Sequence, residues 1–142
     1  MNLKNYVRSI KDYPKKGILF RDITTLIKDK DAFAEAISQI VERSKKYDFD
    51  KIAAIESRGF VFASAVSYIL KKPFIMLRKK NKLPAKVHSV DFELEYGTAT
   101  IEVHKDSFEK NDNVLIIDDL IATGGTAEAA AKLIKMSDAN VA

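Results

Sequence analysis

Residues 114–126 read VLIIDDLIATGGT, and this stretch decides the fold class. Four aliphatic residues, Val114 to Ile117, form a short apolar run that predicts a strand buried on both faces. Two carboxylates, Asp118 and Asp119, follow where that strand should end, and a small loop then opens an alanine-rich helix. In an open parallel sheet, ligands bind beyond the carboxyl ends of the strands. The stretch therefore predicts an α/β fold with a ligand site at this edge.

The loop from Ala122 to Thr126 has the composition of a phosphate site. Its backbone N–H groups and threonine hydroxyls would lie at a helix N-terminus, where the helix dipole favours an anion. Asp118 and Asp119 would repel a phosphate, so they are better placed to accept hydrogen bonds from a diol or to lie near a metal. A sugar phosphate satisfies both sets of groups. In the alternative interpretation the acids cap the helix and the glycines form a turn, which explains neither the second acid nor the second threonine.

The bulk composition is that of one ordinary globular domain over residues 1–142, with 46% hydrophobic and 31% charged residues. No apolar stretch approaches the ~20 residues that span a bilayer, and residues 1–10 lack the apolar core of a signal peptide. The sequence has no cysteine, so it can form neither disulfides nor thiolate metal sites, and we expect a cytoplasmic protein without membrane contact. The net charge of +4 is small and most lysines are scattered, which argues against nucleic-acid binding.

Helix and strand patterns alternate along the rest of the chain and predict a mostly parallel central sheet flanked by helices. The predicted helices are 3–10, 31–46, 59–70 (with Phe60, Val61, Ala65 and Ile69 toward the core) and 125–136. The predicted strands are 52–55, 74–77 and 114–117, a hairpin turning near Gly97, and a further strand that begins at 140–142. Residues 13–23 fit neither pattern and predict a loop packed on the core, whereas residues 79–90 predict a mobile basic loop.

The segment Glu56-Ser57-Arg58 is a second polar turn between a strand and a helix. Arg58 would lie at the helix entrance beside free backbone N–H groups, where it could clamp a pyrophosphate. The alternative is an ordinary helix start with Ser57 as the cap and Arg58 solvated. The acidic pair and phosphate-type loop after residue 117 favour the first interpretation.

The segment from Arg78 to Tyr96 combines a basic loop with an acidic hairpin. Such a loop could close over a phosphate-rich substrate and protect a reactive sugar carbon from water. The alternative is a surface hairpin whose charges are merely solvated, which is plausible for Lys79, Lys80 and Glu93.

The 114–126 stretch resembles the phosphoribosyl pyrophosphate (PRPP) motif of the type I phosphoribosyltransferases, and the absence of a lysine after the glycines distinguishes it from a Walker P-loop. Further segments extend the resemblance over essentially the whole chain and indicate the adenine phosphoribosyltransferases within that family. They read PKKGILFRDI (14–23), ESRGF (56–60), RKKNKLP (78–84) and ELEYGT (93–98). The resemblance implies the type I fold, with a small flexible hairpin and loop and an N-terminal base-binding segment.

The resemblance also implies an activity, the transfer of ribose 5-phosphate from PRPP to adenine N9 to give AMP and pyrophosphate in purine salvage. It implies Mg²⁺ carried on PRPP, near Asp118 and Asp119 rather than bound directly by the protein, and a homodimer whose partner subunit can supply Arg78 or Lys82. Glu95 is implied as the catalytic acid/base, because a carboxyl in a closed site has a raised pKa. Tyr96 is implied in loop closure.

The implied binding residues fall into four groups. They are Ala122, Thr123, Gly124, Gly125 and Thr126 for the 5′-phosphate, Asp118 and Asp119 for the ribose, Glu56, Ser57, Arg58, Arg78 and Lys82 for the pyrophosphate, and Leu19, Phe20 and Arg21 for adenine.

Two departures from the family pattern bear on these expectations. Asn81 stands where the family often has glycine, and members usually continue for a few tens of residues beyond the equivalent of Ala142. We therefore expect a C-terminally truncated domain that lacks one strand and part of the cover over adenine. Two alternatives stay open, a phosphoribosyltransferase for another purine base and a PRPP-binding regulatory protein of the same fold.

Overall fold

The computed structural model describes residues 2–13, 16, 19–56, 58–94, 97–118 and 125–142. Contacts between Cα atoms divide the chain into two compact units, Met1–Ser44 and Lys45–Ala142. The expectation of a single domain over residues 1–142 stays a prediction. Among the described helices, none combines the length and apolarity that crossing a membrane requires.

The first unit contains a short hairpin followed by two helices. Its elements are a 3₁₀ helix (Leu3–Tyr6), strands β1 (Arg8–Lys11) and β2 (Leu19–Asp22), and helices α1 (Thr24–Lys28) and α2 (Lys30–Ser44). The two strands pair antiparallel, with Arg8 opposite Asp22. Helix α2 begins where the Asp29 carboxylate accepts hydrogen bonds from the N–H groups of Asp31 and Ala32. This helix confirms the prediction over 31–46.

Two predictions for the first unit are wrong. The predicted helix over 3–10 ends at Tyr6, because the next residues pair as β1 with β2 instead of continuing the helix. The predicted loop over 13–23 contains β2, and its last two residues, Asp22 and Ile23, are buried. In both cases a pairing between distant segments outweighs the local apolar spacing. Pro14, Lys15, Gly17 and Ile18 lie outside the described residues.

The second unit contains a six-stranded sheet with the order β5-β6-β4-β3-β7-β8. Its elements are β3 (Lys51–Ile55), α3 (Arg58–Leu70), β4 (Phe74–Lys79), β5 (Val87–Leu94), β6 (Gly97–His104), β7 (Asn113–Ile117), α4 (Gly125–Met136) and β8 (Asn140–Val141). Strands β4, β3, β7 and β8 are parallel neighbours, whereas β6 and β5 continue the sheet antiparallel. The predicted α/β fold with a mostly parallel central sheet is confirmed.

The core of this unit explains why the apolar runs predicted its strands well. Residues 52–55 of β3 are all buried, as expected for a central strand with neighbours on both sides. Helix α4 buries four residues at helical spacing, Ala129, Ala130, Leu133 and Ile134. The predicted strands at 52–55, 74–77 and 114–117, the helix at 125–136 and the strand beginning at 140–142 are therefore confirmed.

Helix α3 is confirmed in position but presents a different face to the core. The buried residues are Gly59, Phe62, Ala63 and Val66, whereas Val61 and Ile69, predicted to be internal, are 38% and 52% exposed. The helix is apolar around most of its circumference, so spacing alone does not select one face. Phe60 is half-buried and its ring meets that of Phe74 edge to face, with the ring centroids 5.5 Å apart.

The basic loop is shorter than predicted, because β4 continues to Lys79 and β5 already begins at Val87. The predicted hairpin is confirmed, with Leu94 of β5 paired in register with Gly97 of β6. Gly97 has φ +96°, a left-handed conformation that glycine adopts without steric cost.

Candidate active site

Three parallel strands of the second unit end side by side at one edge of its sheet. Register pairs between β3 and β4 and between β3 and β7 bring the strand ends level with one another. Glu56 follows β3, Arg78 lies near the end of β4, and Asp118 follows β7. The structure thus brings three of the predicted site residues to the carboxyl edge, where open parallel sheets bind ligands.

Glu56 joins the ends of β3 and β4. Its backbone N–H donates to the carbonyl of Leu77 at 3.0 Å, and its carboxylate accepts a hydrogen bond from the backbone N–H of Lys79 at 2.5 Å. The other carboxylate oxygen, Oε2, lies 3.5 Å from Arg78 Nη2. The Glu56 carboxylate therefore holds both the backbone and the guanidinium at the end of β4.

Arg78 has donor capacity that the described residues do not use. Its Nε is buried and has no hydrogen-bond partner among the described residues, while its side chain as a whole is 32% exposed. A buried donor left without an acceptor typically costs about 1–3 kcal/mol. The ion pair to Glu56 is long, so the guanidinium can still take a second acceptor. This combination suits an anionic ligand.

Asp118 lies against the first turn of α3. A Cβ built on Gly59 would come within 3.2 Å of Asp118 Oδ1 and 3.4 Å of the Ile117 carbonyl oxygen. Glycine at this position therefore permits the close approach of helix and strand end. The half-buried Asp118 carboxylate is held beside the positive end of the helix dipole.

Both helices that follow strands of this edge begin with predicted site residues. Arg58 is the first residue of α3 and is half-buried, and Gly125 and Thr126 open α4. Helix N-termini offer unpaired N–H groups to an anion.

Several predicted site residues lie outside the described part of the chain. They are Ser57, Glu95, Tyr96, Asp119, Ala122, Thr123 and Gly124. Leu94 and Gly97, which flank Glu95 and Tyr96 in the sequence, pair in register. Lys82 is described and is exposed in the loop between β4 and β5.

The predicted base-binding segment, Leu19 to Arg21, forms most of β2 in the first unit. The described sheet in this unit has two strands, so no further described strand pairs with the outer edge of β2. Its backbone donors and acceptors are therefore suited to hydrogen bonding with a ligand. Side chains of this segment are not among the described features.

Asp22, which sequence reasoning did not single out, anchors the end of β2. Its carboxylate accepts hydrogen bonds from the Thr24 hydroxyl at 2.6 Å, from the Thr24 backbone N–H at 2.9 Å and from Arg8 Nε at 2.8 Å. The Thr24 bonds and then the Arg8 bond lower the pKa of Asp22 to about 2, against the opposing effect of burial. The signal in the sequence was a carboxylate two residues before a helical threonine, an arrangement typical of a local side-chain bond to the backbone.

Gly59 was also overlooked as a site residue. A glycine inside a helix costs about 1 kcal/mol relative to alanine, so its presence just after a polar turn signals a close approach.

Comparison with known proteins identifies the family of this chain. The model of the phosphoribosyl transferase domain matches residues 23–142. The adenine phosphoribosyltransferase of Pelagibacter ubique is 83% identical over 142 residues, which cover 100% of this chain and 81% of that protein.

Solved structures agree with this match. The adenine phosphoribosyltransferase of Thermoanaerobacter pseudethanolicus superposes with a TM-score of 0.95 at 45% identity, over 98% of this chain and 81% of that one. The Saccharomyces cerevisiae enzyme, complexed with adenine and an imino-altritol bisphosphate, gives 0.90 at 34% identity over the same shares. On the strength of the domain match, the sequence identity and the shared fold, the chain belongs to the adenine phosphoribosyltransferases, within the phosphoribosyl transferase domain family.

Proposed function

We propose that this chain transfers ribose 5-phosphate from PRPP to N9 of adenine, giving AMP and pyrophosphate in purine salvage. One observation carries the proposal, the Asp118 carboxylate packed against Gly59 at the start of α3, on the same edge as Arg78. The Asp118 carboxylate can accept hydrogen bonds from the diol of a ribose. The helix N-terminus and the partly unpaired Arg78 guanidinium suit the pyrophosphate that this ribose carries. The yeast relative complexed with adenine supports the choice of base.

The ribose phosphate is bound by the segment between β7 and α4. Asp118 and Asp119 accept hydrogen bonds from the 2′- and 3′-hydroxyls, and the loop opening α4 holds the 5′-phosphate through backbone N–H groups and threonine hydroxyls. The loop residues are Ala122, Thr123, Gly124, Gly125 and Thr126. The described start of α4 at Gly125 supports this assignment.

The pyrophosphate is bound at the entrance of α3 and the end of β4. Arg58 and Ser57 contact it from the helix N-terminus, while Arg78 and Lys82 contribute positive charge from the basic loop. Glu56 carries the same sign of charge as the pyrophosphate, so its part is to orient the Arg78 guanidinium through the 3.5 Å contact. Charge stabilisation of the leaving pyrophosphate is the main catalytic contribution of this cluster.

Adenine is read by the outer edge of β2, from Leu19 to Arg21. Backbone N–H and C=O groups suit a base edge that offers a donor beside an acceptor. The Arg8–Asp22–Thr24 hydrogen bonds fix the end of this strand.

Proton transfer at the base is assigned to Glu95, with Tyr96 closing the site. In the sequence both residues lie between Leu94 and Gly97, the last register pair of the hairpin. Closure excludes water from the oxocarbenium-like sugar carbon.

Mg²⁺ accompanies PRPP in this proposal. The described residues contain no group of three or more candidate ligands for a metal. Of the two carboxylates proposed to bind the ribose, Asp118 is the one that the structure describes. This donor set fits Mg²⁺, which commonly binds one or two carboxylates and takes its other ligands from substrate phosphates and water. Asp118 and Asp119 are the residues that would face it, and the ion supplies neutralisation of pyrophosphate charge when bound.

A homodimer is the proposed assembly, supported by apolar exposure on α3. Val61, Tyr68 and Ile69 are 38%, 84% and 52% exposed, and Val61 and Tyr68 are separated by two helical turns on one face. A Tyr68→Glu variant should shift the chain from dimer to monomer in analytical ultracentrifugation. The matched control is Lys71→Glu, an exposed position just after the same helix, which should leave the mass unchanged. A cytoplasmic location stays a prediction.

The test is an assay of the 142-residue chain with PRPP, Mg²⁺ and each purine base in turn. A version extended at its C-terminus with the corresponding Pelagibacter segment is assayed beside it. AMP from adenine, with little product from hypoxanthine, guanine or xanthine, is the expected result. Binding of PRPP without turnover of any base by either version would instead favour the regulatory alternative.

A further inference from the structure

Glu102 is a buried carboxylate in the middle of β6. It is 7% exposed and lies between the buried residues Ile101 and Val103. In register it stands opposite Arg78 of β4 on one side and Ser89 of β5 on the other. Because residues paired in register share a face of the sheet, these three polar side chains form one row across it. A carboxylate buried in such a row requires partners.

One of its oxygens binds the start of the loop and the other binds strand β5. Ser89 Oγ donates to Oε2 at 2.6 Å, and the backbone N–H of Asn81 donates to Oε1 at 3.0 Å. The Ser89 bond, then the Asn81 bond and more weakly the charge of Lys80 lower the pKa of Glu102 below its usual range, outweighing burial. Glu102 is therefore ionised at neutral pH.

The Asn81 bond fixes the place where the basic loop leaves the sheet. Asn81 has φ +68°, a left-handed conformation that asparagine tolerates better than most residues. The far end of the loop is also joined to the same strand and its turn, since Ala85 N–H donates to His104 Nε2 at 3.4 Å and Lys105 N–H to the Lys86 carbonyl at 2.9 Å. The loop that carries Lys80 and Lys82 is thus held at both ends by β6 and the turn after it.

We propose that Glu102 is a positioning residue for pyrophosphate binding, which acts through Asn81 by setting the path of residues 80–86. The inference rests on the proposed function. With the loop start fixed, Lys82 approaches the pyrophosphate that Arg78 also binds. Without it, the lysines must be ordered when the substrate arrives, which weakens binding. A merely structural Glu102 would affect folding but not the affinity for PRPP.

The test compares Glu102→Gln with Glu102→Met, measuring PRPP affinity by calorimetry and the KM for PRPP and kcat in the assay. Glutamine keeps an oxygen for Asn81 and can donate its amide to Ser89 Oγ, so we expect affinity within about threefold of the unchanged chain. Methionine loses both bonds, and we expect PRPP affinity to fall and KM to rise about tenfold, with kcat at saturating PRPP changed less than about threefold. The matched control is Asp91→Ala, since Asp91 accepts a bond from Thr100 at 2.5 Å in the same hairpin but is exposed. It should bind PRPP normally.

A double-mutant cycle shows whether the effect runs through the loop. If Glu102 acts by placing Lys82, then adding Lys82→Ala to Glu102→Met should weaken PRPP binding by less than the product of the two single effects. Full additivity would overturn the proposal, as would a folded Glu102→Met variant with unchanged affinity, or a Gln variant as weak as the Met variant.

Two outcomes separate this proposal from the proposed function. If the unchanged chain binds PRPP but makes no AMP, the proposed enzymatic function is wrong. The role of Glu102 is then still tested by the PRPP affinities of the Glu102→Gln and Glu102→Met variants. If the unchanged chain does not bind PRPP, both fail. Should Glu102→Met not fold, the double variant Ser89→Ala with Glu102→Met removes the hydroxyl that methionine would leave unpaired and still removes the Asn81 bond. An affinity of this variant for PRPP equal to that of Ser89→Ala alone would overturn the proposal.

Discussion

One end of the central parallel strands carries a short ion pair, whereas the other end carries a long one. At the amino end, Lys51 Nζ lies 2.8 Å from Asp112 Oδ2 and also donates to the Ser107 carbonyl at 3.0 Å. At the carboxyl end, Arg78 Nη2 lies 3.5 Å from Glu56, and its buried Nε has no partner among the described residues. The first pair is satisfied by the protein itself and stabilises the fold. The second is left open, as expected where a ligand completes the network.

Of the substitutions at these two ends, removal of the Arg78 guanidinium should have the largest effect. Arg78→Ala deletes a charge-assisted bond to pyrophosphate and leaves the Glu56 carboxylate facing that anion. We expect kcat/KM for PRPP to fall by about 100-fold or more, with little change in the free energy of unfolding. Steady-state kinetics and urea unfolding measure the two quantities.

Lys110→Ala is the control for Arg78→Ala, because it removes an exposed positive charge near the amino end. Its kcat/KM should match that of the unchanged chain. An Arg78→Ala variant that lost stability but not activity would assign this end of the sheet to folding instead.

Breaking the Lys51–Asp112 pair should have the reverse effect, a loss of stability without a loss of activity. Lys51→Met leaves Asp112 without its cation, and because the two side chains are only 18% and 14% exposed, the loss should be about 2 kcal/mol of unfolding free energy. Activity per folded molecule should be unchanged. Urea unfolding, with the assay run well below the transition, tests both points.

Lys132→Met is the matched control for Lys51→Met, since the exposed Lys132–Glu128 pair of α4 has its charges 3.9 Å apart. It should cost under about 0.5 kcal/mol. Equal losses from the two variants would show that burial does not distinguish the pairs.

A smaller effect tests how closely the carboxyl edge is packed. Gly59→Ala adds a Cβ within 3.2 Å of Asp118 Oδ1, which must move by a few tenths of an ångström. Alanine favours the helix by about 1 kcal/mol, which offsets the crowding, so stability should change little while the KM for PRPP rises about fivefold. The control Ser64→Ala, at an exposed position of the same helix, should leave the KM unchanged. A Gly59→Ala variant with normal KM would argue that Asp118 does not bind the ribose.

Local patterns predicted most of the fold because its central strands are short aliphatic runs. Residues 52–55 and 114–117 lie side by side in the sheet as such runs should. The β1–β2 hairpin was not predicted, since its strands are short and pair across the segment that carries Pro14 and Gly17. The helical spacing of the residues before it competed with that pairing.

The candidate site was predictable in residue type but not in geometry. Polar residues after strands indicated which side chains to consider. The contacts that distinguish them, such as Glu56 on the end of β4, depend on register across separate strands, which no single segment contains. Glu102 illustrates the limit, because its neighbours Arg78 and Ser89 come from two other strands and are brought to it by register alone.

The smallest expected effect is the pH dependence of the stability that the Lys51–Asp112 pair contributes. Burial raises the pKa of Asp112, but the Lys51 bond, the Glu109 N–H bond and the Lys51 charge outweigh it, so this pKa lies below its ordinary value. A lowered folded-state pKa adds stability that is complete above the ordinary aspartate value of about 3.9 and is lost as pH falls through the folded-state value. The unfolding free energy of the unchanged chain minus that of Asp112→Asn should therefore be constant above about pH 5 and shrink below about pH 4. The shrinkage should be weaker in a Lys51→Met background, and a difference that stays constant under acid would show that this pair contributes nothing through its charge.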